Sequence, residues 1–131
     1  MTGLDTNVLV RYFAQDDLAQ AKRATQIIER RLTEDEPGFV SLVTMVETVW
    51  VLSRVYGLSD REIAAVVEGM LQSDTLVIQN EQEVFTAVAA LRAGNGGFAD
   101  ALVGALGTWA GCASTLTFDR KAARLDGFQL V

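Results

Sequence analysis

The chain has no histidine, one cysteine (Cys112) and one proline (Pro37) among its 131 residues, and aromatic side chains make up only 8%. Without histidine, imidazole acid–base chemistry, Ser-His-Asp triads and histidine-based zinc sites are excluded. A single cysteine builds no disulfide framework, and Cys112, between Gly111 and Ala113, reads as buried packing. Any catalysis must rest on carboxylates, hydroxyls or basic side chains. Long hydrophobic runs are also missing. The longest uncharged stretch, Ala101 to Phe118, holds three glycines and four Ser/Thr residues, which suits a helix followed by a strand better than a membrane span. The opening MTGLDTNVLV carries Asp5 inside its first apolar run, unlike an export signal, so a cytoplasmic protein with no membrane partner is expected. Bases are the minority charge, 11 against 17 acids, for a net charge of −6. Bulk electrostatics therefore does not draw the chain to nucleic acid, and such a role needs a bound cation or bases concentrated locally.

What is present is patterned. Half of the residues are apolar, with no repeat and no low-complexity stretch, so one compact domain over 1–131 is expected. Short strands are predicted at Gly3–Asp5, Phe39–Val40, Leu76–Ile78, Ser114–Thr117 and Phe128–Val131. Helical stripes fall between them: a short one after Asn7, one from Leu18 to about Leu32, an almost wholly apolar one from Leu42 to Tyr56, and one behind the Ser59–Glu62 capping box. Asn80 with Glu83 reads as a further cap, and Phe98 to Trp109 as a small-residue helix stopped by Gly111. Trp50 and Trp109 read as core. Alternating strands and helices predict an α/β fold with a short, mainly parallel sheet flanked by helices.

Four acids stand out. Asp5 and Asp119 fall where a strand gives way to a helix, the edge at which parallel sheets gather ligands, and Asp100 lies in the first turn of its helix. Glu47 interrupts the most apolar helix, where a carboxylate among Val43, Val46, Trp50 and Val51 costs several kcal/mol unless paired, with Arg11 or Arg54 as the ordinary partner. Singly, Asp5 also reads as an Asx turn, Asp100 as a complement to the helix dipole and Asp119 as an N-cap. Were the four to converge, their repulsion would require a bound cation or shifted protonation. An all-oxygen donor set selects Mg²⁺ or Mn²⁺.

The order LDTN at 4–7, a lone Glu47 in an apolar helix, GFADAL at 97–102 and TFDRKAARL at 117–125 resembles the PIN-domain ribonucleases, specifically the VapC-type toxins of bacterial toxin–antitoxin pairs. The resemblance implies a single PIN-like domain and an Mg²⁺- or Mn²⁺-dependent endoribonuclease with Asp5, Glu47, Asp100 and Asp119 as metal-binding and catalytic acids. It also implies Thr6 and Asn7 as residues orienting a ligand or water beside them, a homodimer, and a cognate antitoxin protein covering the site. Arg11, Arg120 and Lys121 are the bases nearest the acids in sequence and the candidates for contacting RNA; Arg124, Lys22-Arg23 and Arg30-Arg31 are further bases. Hydrolysis by an activated water would leave 5′-phosphate and 3′-hydroxyl ends. Two other readings stay open: a catalytically silent PIN-like module that binds RNA or protein, and an aspartate-nucleophile phosphotransferase, against which Asn7 stands where a second aspartate belongs.

Overall fold

Leu4 and Val40, 7% and 0% exposed, carry two short strands into the interior of the first half of the chain. In the computed structural model, which describes residues 1–131, Thr2–Gly3 forms β1, Gly38–Val40 forms β2 and Leu76–Ile78 forms β3. They pair in parallel in the order β1-β2-β3, with Gly3 opposite Phe39 and Phe39 opposite Val77. Parallel neighbours need long crossovers, and four helices supply them: α1 (Thr6–Ala14), α2 (Leu18–Gln26), α3 (Leu42–Arg54) and α4 (Asp60–Gln72). Together these make a compact unit over Met1–Gln79. Its core gathers Leu9 and Val10 of α1, Ala21 and Ala24 of α2, Met45 and Leu52 of α3, and Ile63, Val67 and Met70 of α4. The expected capping box forms at α4: the Ser59 hydroxyl accepts from the Glu62 N–H at 3.2 Å while the Glu62 carboxylate accepts from the Ser59 N–H at 3.0 Å. The stripe expected from Leu18 onward does not end as an α-helix. It passes into a π turn, Ile27–Arg31, closed by the Leu32 N–H donating to the Ile27 carbonyl at 3.0 Å.

A second compact unit spans Asn80–Val131. Helix α5 (Glu81–Arg92) and helix α6 (Phe98–Trp109) pack side by side, burying Val84, Ala87, Val88 and Leu91 of the first and Phe98, Ala101 and Leu102 of the second. β4 (Thr115–Thr117) and β5 (Phe128–Leu130) pair in parallel, with Leu116 opposite Gln129, and a 3₁₀ turn at Ala122–Arg124 lies between them. Both sheets are parallel, as expected, but they are a three-stranded and a two-stranded sheet, one in each unit.

The small residues of α6 are explained by what lies against them. A Cβ on Gly104 would stand 2.6 Å from Phe128 Cε2, and one on Gly107 would stand 2.6 Å from Thr115 Oγ1. Gly104→Val must therefore push the Phe128 ring aside, and overpacking outweighs the modest gain in helix propensity. We expect a loss of about 1–3 kcal/mol, read from the urea unfolding midpoint.

Three expectations need correction. Asn80 adopts a left-handed conformation (φ 51°) and does not cap α5; its amide donates instead to Glu83 Oε1 at 3.0 Å. Cys112 is exposed, because the chain turns at Gly111 before it can pack. Trp50 and Trp109 are 57% and 67% exposed, since the buried stripes of α3 and α6 use other residues. As expected of the Ala101–Phe118 stretch, no helix is long and apolar enough to cross a membrane.

Candidate functional site

In the first unit, Leu4 is the last residue tied to the sheet, its N–H donating to the Phe39 carbonyl at 2.9 Å. Asp5 follows at the carboxyl edge and caps α1, Oδ1 accepting from the Thr6 N–H at 2.8 Å. Ser41, next after β2 and so at the same edge, caps α3 through the Thr44 N–H. Glu47 lies six residues further, about 9 Å along that helix. It is not buried, contrary to expectation: α3 turns Met45, Thr48 and Leu52 inward, so Glu47 shares the exposed face with Val43 and Trp50. No ion pair accompanies it, and Arg11, one of the partners considered for it, is engaged by Asp16.

In the second unit, α6 packs with Gly107 beside Thr115 at the start of β4 and Gly104 beside Phe128 at the start of β5. Asp100 precedes Gly107 by seven residues, almost two full turns, and continues the Gly104–Gly107 face. Asp119 follows the carboxyl end of β4, where Oδ1 accepts from the N–H groups of Lys121 (2.7 Å) and Ala122 (3.4 Å). A cavity of about 390 Å³ occupies a different side of α6, lined by Ala101, Ala105 and Thr108 with Glu83, Trp109 and Arg124, and neither acid reaches it.

The donor chemistry of these acids fits a hard divalent cation. All four are exposed; Asp5 and Asp119 each commit one oxygen to backbone N–H groups and keep the other, and Asp100 and Glu47 accept no hydrogen bond. No three acidic or sulfur side chains, however, stand close enough together to hold a metal ion. Beside the acids, Asn7 is exposed, whereas Thr6 is 6% exposed with a hydroxyl that finds no partner. Sequence reasoning missed Thr48, next to Glu47, which is fully buried and equally unpartnered. Its signal was a polar residue in step with Met45 and Leu52. An unmatched buried hydroxyl costs about 1–3 kcal/mol.

Of the candidate RNA contacts, Arg120 and Lys121 are exposed and unpaired. Arg11 is not free. Its guanidinium donates to Gln20 Oε1 (2.6 Å), Asp16 Oδ1 (3.2 Å) and the Tyr56 hydroxyl (3.1 Å), and that hydroxyl donates to Asp16 Oδ2 at 2.6 Å. Chiefly through the Tyr56 hydroxyl, and also through the Arg11 charge, the Asp16 carboxyl is held below the usual carboxylate range. A carboxyl with a depressed folded-state pKa stabilises the fold above its unfolded pKa and loses that contribution as pH falls through its folded value. Tyr56→Phe should therefore be less stable than wild type at pH 6–7, with the gap closing below about pH 4, as read by urea unfolding across that range.

Comparison with known families gives a match to the PIN domain over residues 4–128, across both units. No curated protein matches the chain.

Proposed function

Because the chain belongs to the PIN-domain family, whose members are generally metal-dependent nucleases, we propose that it is a metal-dependent endoribonuclease and the toxin of a toxin–antitoxin pair. The observation that carries this reading is the family match over nearly the whole chain, together with acids at the strand ends that leave carboxylate oxygens uncommitted.

Asp5, Glu47, Asp100 and Asp119 would hold the ion, Mg²⁺ or Mn²⁺ by their all-oxygen chemistry. When bound, a divalent cation supplies Lewis acidity, making water a stronger nucleophile at neutral pH and stabilising charge on the departing oxygen. The chain's own groups prepare this: the Thr6 N–H orients Asp5, the Lys121 and Ala122 N–H groups orient Asp119, and Thr6 and Asn7 flank the first acid. Arg120 and Lys121 offer unpaired positive charge to the phosphate, and Arg11 would have to leave Asp16 to do so. The partners that go with this reading are an RNA substrate, a cognate antitoxin and a second copy of the chain, in a cytoplasmic setting.

Attack by water needs no 2′-hydroxyl, and the cyclic-phosphate route usually relies on histidines, which are absent here. Digestion of a structured RNA with Mn²⁺ should give fragments with 5′-phosphate and 3′-hydroxyl ends, resolved by ligation and phosphatase sensitivity. Primary products ending in 2′,3′-cyclic phosphate would overturn the mechanism. The second reading is a silent PIN-like module that binds RNA or protein. The same experiment separates the two, since such a module cuts nothing under any ion.

A further inference from the structure

Four of the eleven cations fall within ten residues of one another, Lys22 and Arg23 on α2 and Arg30 and Arg31 on the π turn that continues it. All four are exposed, and the salt bridges Met1–Glu36 and Arg11–Asp16 lie elsewhere. The acid within this segment, Glu29, accepts a hydrogen bond from the Tyr12 hydroxyl of α1 at 3.0 Å. A chain of net charge −6 thus carries, between Lys22 and Arg31, four exposed cations to one acid, and none of the four stands in an ion pair.

The π turn sets where the arginines point. In an unbroken α-helix the eight residues from Arg23 to Arg31 would advance two turns and about 80° more. That would bring Arg31 almost over Ala24, in the buried stripe of Ala21, Ala24 and Ile28. A π turn takes an extra residue per hydrogen-bonded ring, so each residue rotates less. By that winding Arg31 falls back over Arg23 and Arg30 toward Lys22, two pairs of cations about two turns apart on one side. Cations in a last helical turn complement the dipole. That accounts for Arg30 and Arg31, but not for Lys22 and Arg23 two turns earlier, nor for the change in helical winding that aligns the pairs.

We propose that this face docks the phosphate backbone of RNA, with each cation set against a phosphate. The choice of RNA rests on the nuclease reading; the charge alignment does not. Such contacts release counterions, so log affinity falls with log salt by about 0.7–0.9 per phosphate contact.

The test is binding of a fluorescein-labelled RNA hairpin in EDTA, where no cleavage occurs, from 50 to 200 mM salt. It compares wild type with Lys22→Gln/Arg23→Gln, Arg30→Gln/Arg31→Gln, the quadruple variant and an Arg54→Gln/Arg61→Gln control, each checked for folding by circular dichroism. Each pair should lower the salt slope by about 1.5–2, and the quadruple variant by about 3. With that slope goes the roughly fiftyfold affinity loss that four contacts impose across this salt range. An unchanged slope in the quadruple variant, or an equal fall in the control, overturns the proposal. So does a wild type that ignores RNA but is retained on poly-L-glutamate, which would mark an acidic protein as the occupant. A wild type that never cuts RNA with Mn²⁺ defeats the nuclease reading instead, and the binding slopes then decide this surface on their own.

Discussion

Asp100→Asn should reduce Mn²⁺-dependent RNA cleavage by at least about a hundredfold, while costing no more than about 1 kcal/mol of stability. The two effects separate because of where Asp100 stands. It is exposed in the first turn of α6, with no hydrogen bond and no ion pair, so the fold asks of it only the dipole contribution of an acid near a helix N-terminus. Asparagine keeps the shape and removes the charge that a cation would require. A substrate-free companion is thermal unfolding with about 10 mM Mn²⁺. A site of millimolar affinity adds about 1.4 kcal/mol, a few degrees in Tm, to wild type and less to the variant. Cleavage unchanged in Asp100→Asn would reduce this residue to a helix-dipole acid, whatever the other three do.

Leu52→Ala should destabilise the protein by about 2–5 kcal/mol, a large share of the 5–15 kcal/mol that holds a typical domain together. Leu52 is fully buried on α3, and truncation leaves a cavity in addition to the lost transfer energy. On the same helix Val43 is 77% exposed, so Val43→Ser should lie within about 0.5 kcal/mol of wild type. Chemical denaturation of the two variants side by side reads which face of α3 is the core. A large loss at Val43 with a small one at Leu52 would invert the assignment, and would put Glu47 back among buried side chains.

That helix shows why part of the site was not legible in the sequence. Val43, Met45, Val46, Val49, Trp50, Val51 and Leu52 give α3 apolar residues nearly all round, and periodicity cannot choose a core face when every face qualifies. Packing chose Met45, Thr48 and Leu52, leaving Glu47 exposed without the ion pair its sequence context demanded. Arg11, by sequence a candidate RNA contact and an ordinary partner for Glu47, is instead engaged by Asp16 and by Tyr56, 45 residues away in sequence. No local pattern announces such a contact.

By itself the sequence determined the chemistry available and the order of the elements. The absence of histidine and the single cysteine leave carboxylates as the acid–base and metal-binding groups, and the acids at strand ends follow from apolar runs a few residues long. The helix stop at Gly111, where φ is positive, and the Ser59 capping box were equally local, because turns and caps are decided by neighbouring residues. The tertiary structure decided what depends on distant partners. It selected the buried face of α3, placed Gly104 and Gly107 against Phe128 and Thr115, and left Trp50, Trp109 and Cys112 in solvent. Hydrophobicity fixes that a residue would gain by burial, but only the shape of the opposing element fixes which of several apolar residues is buried.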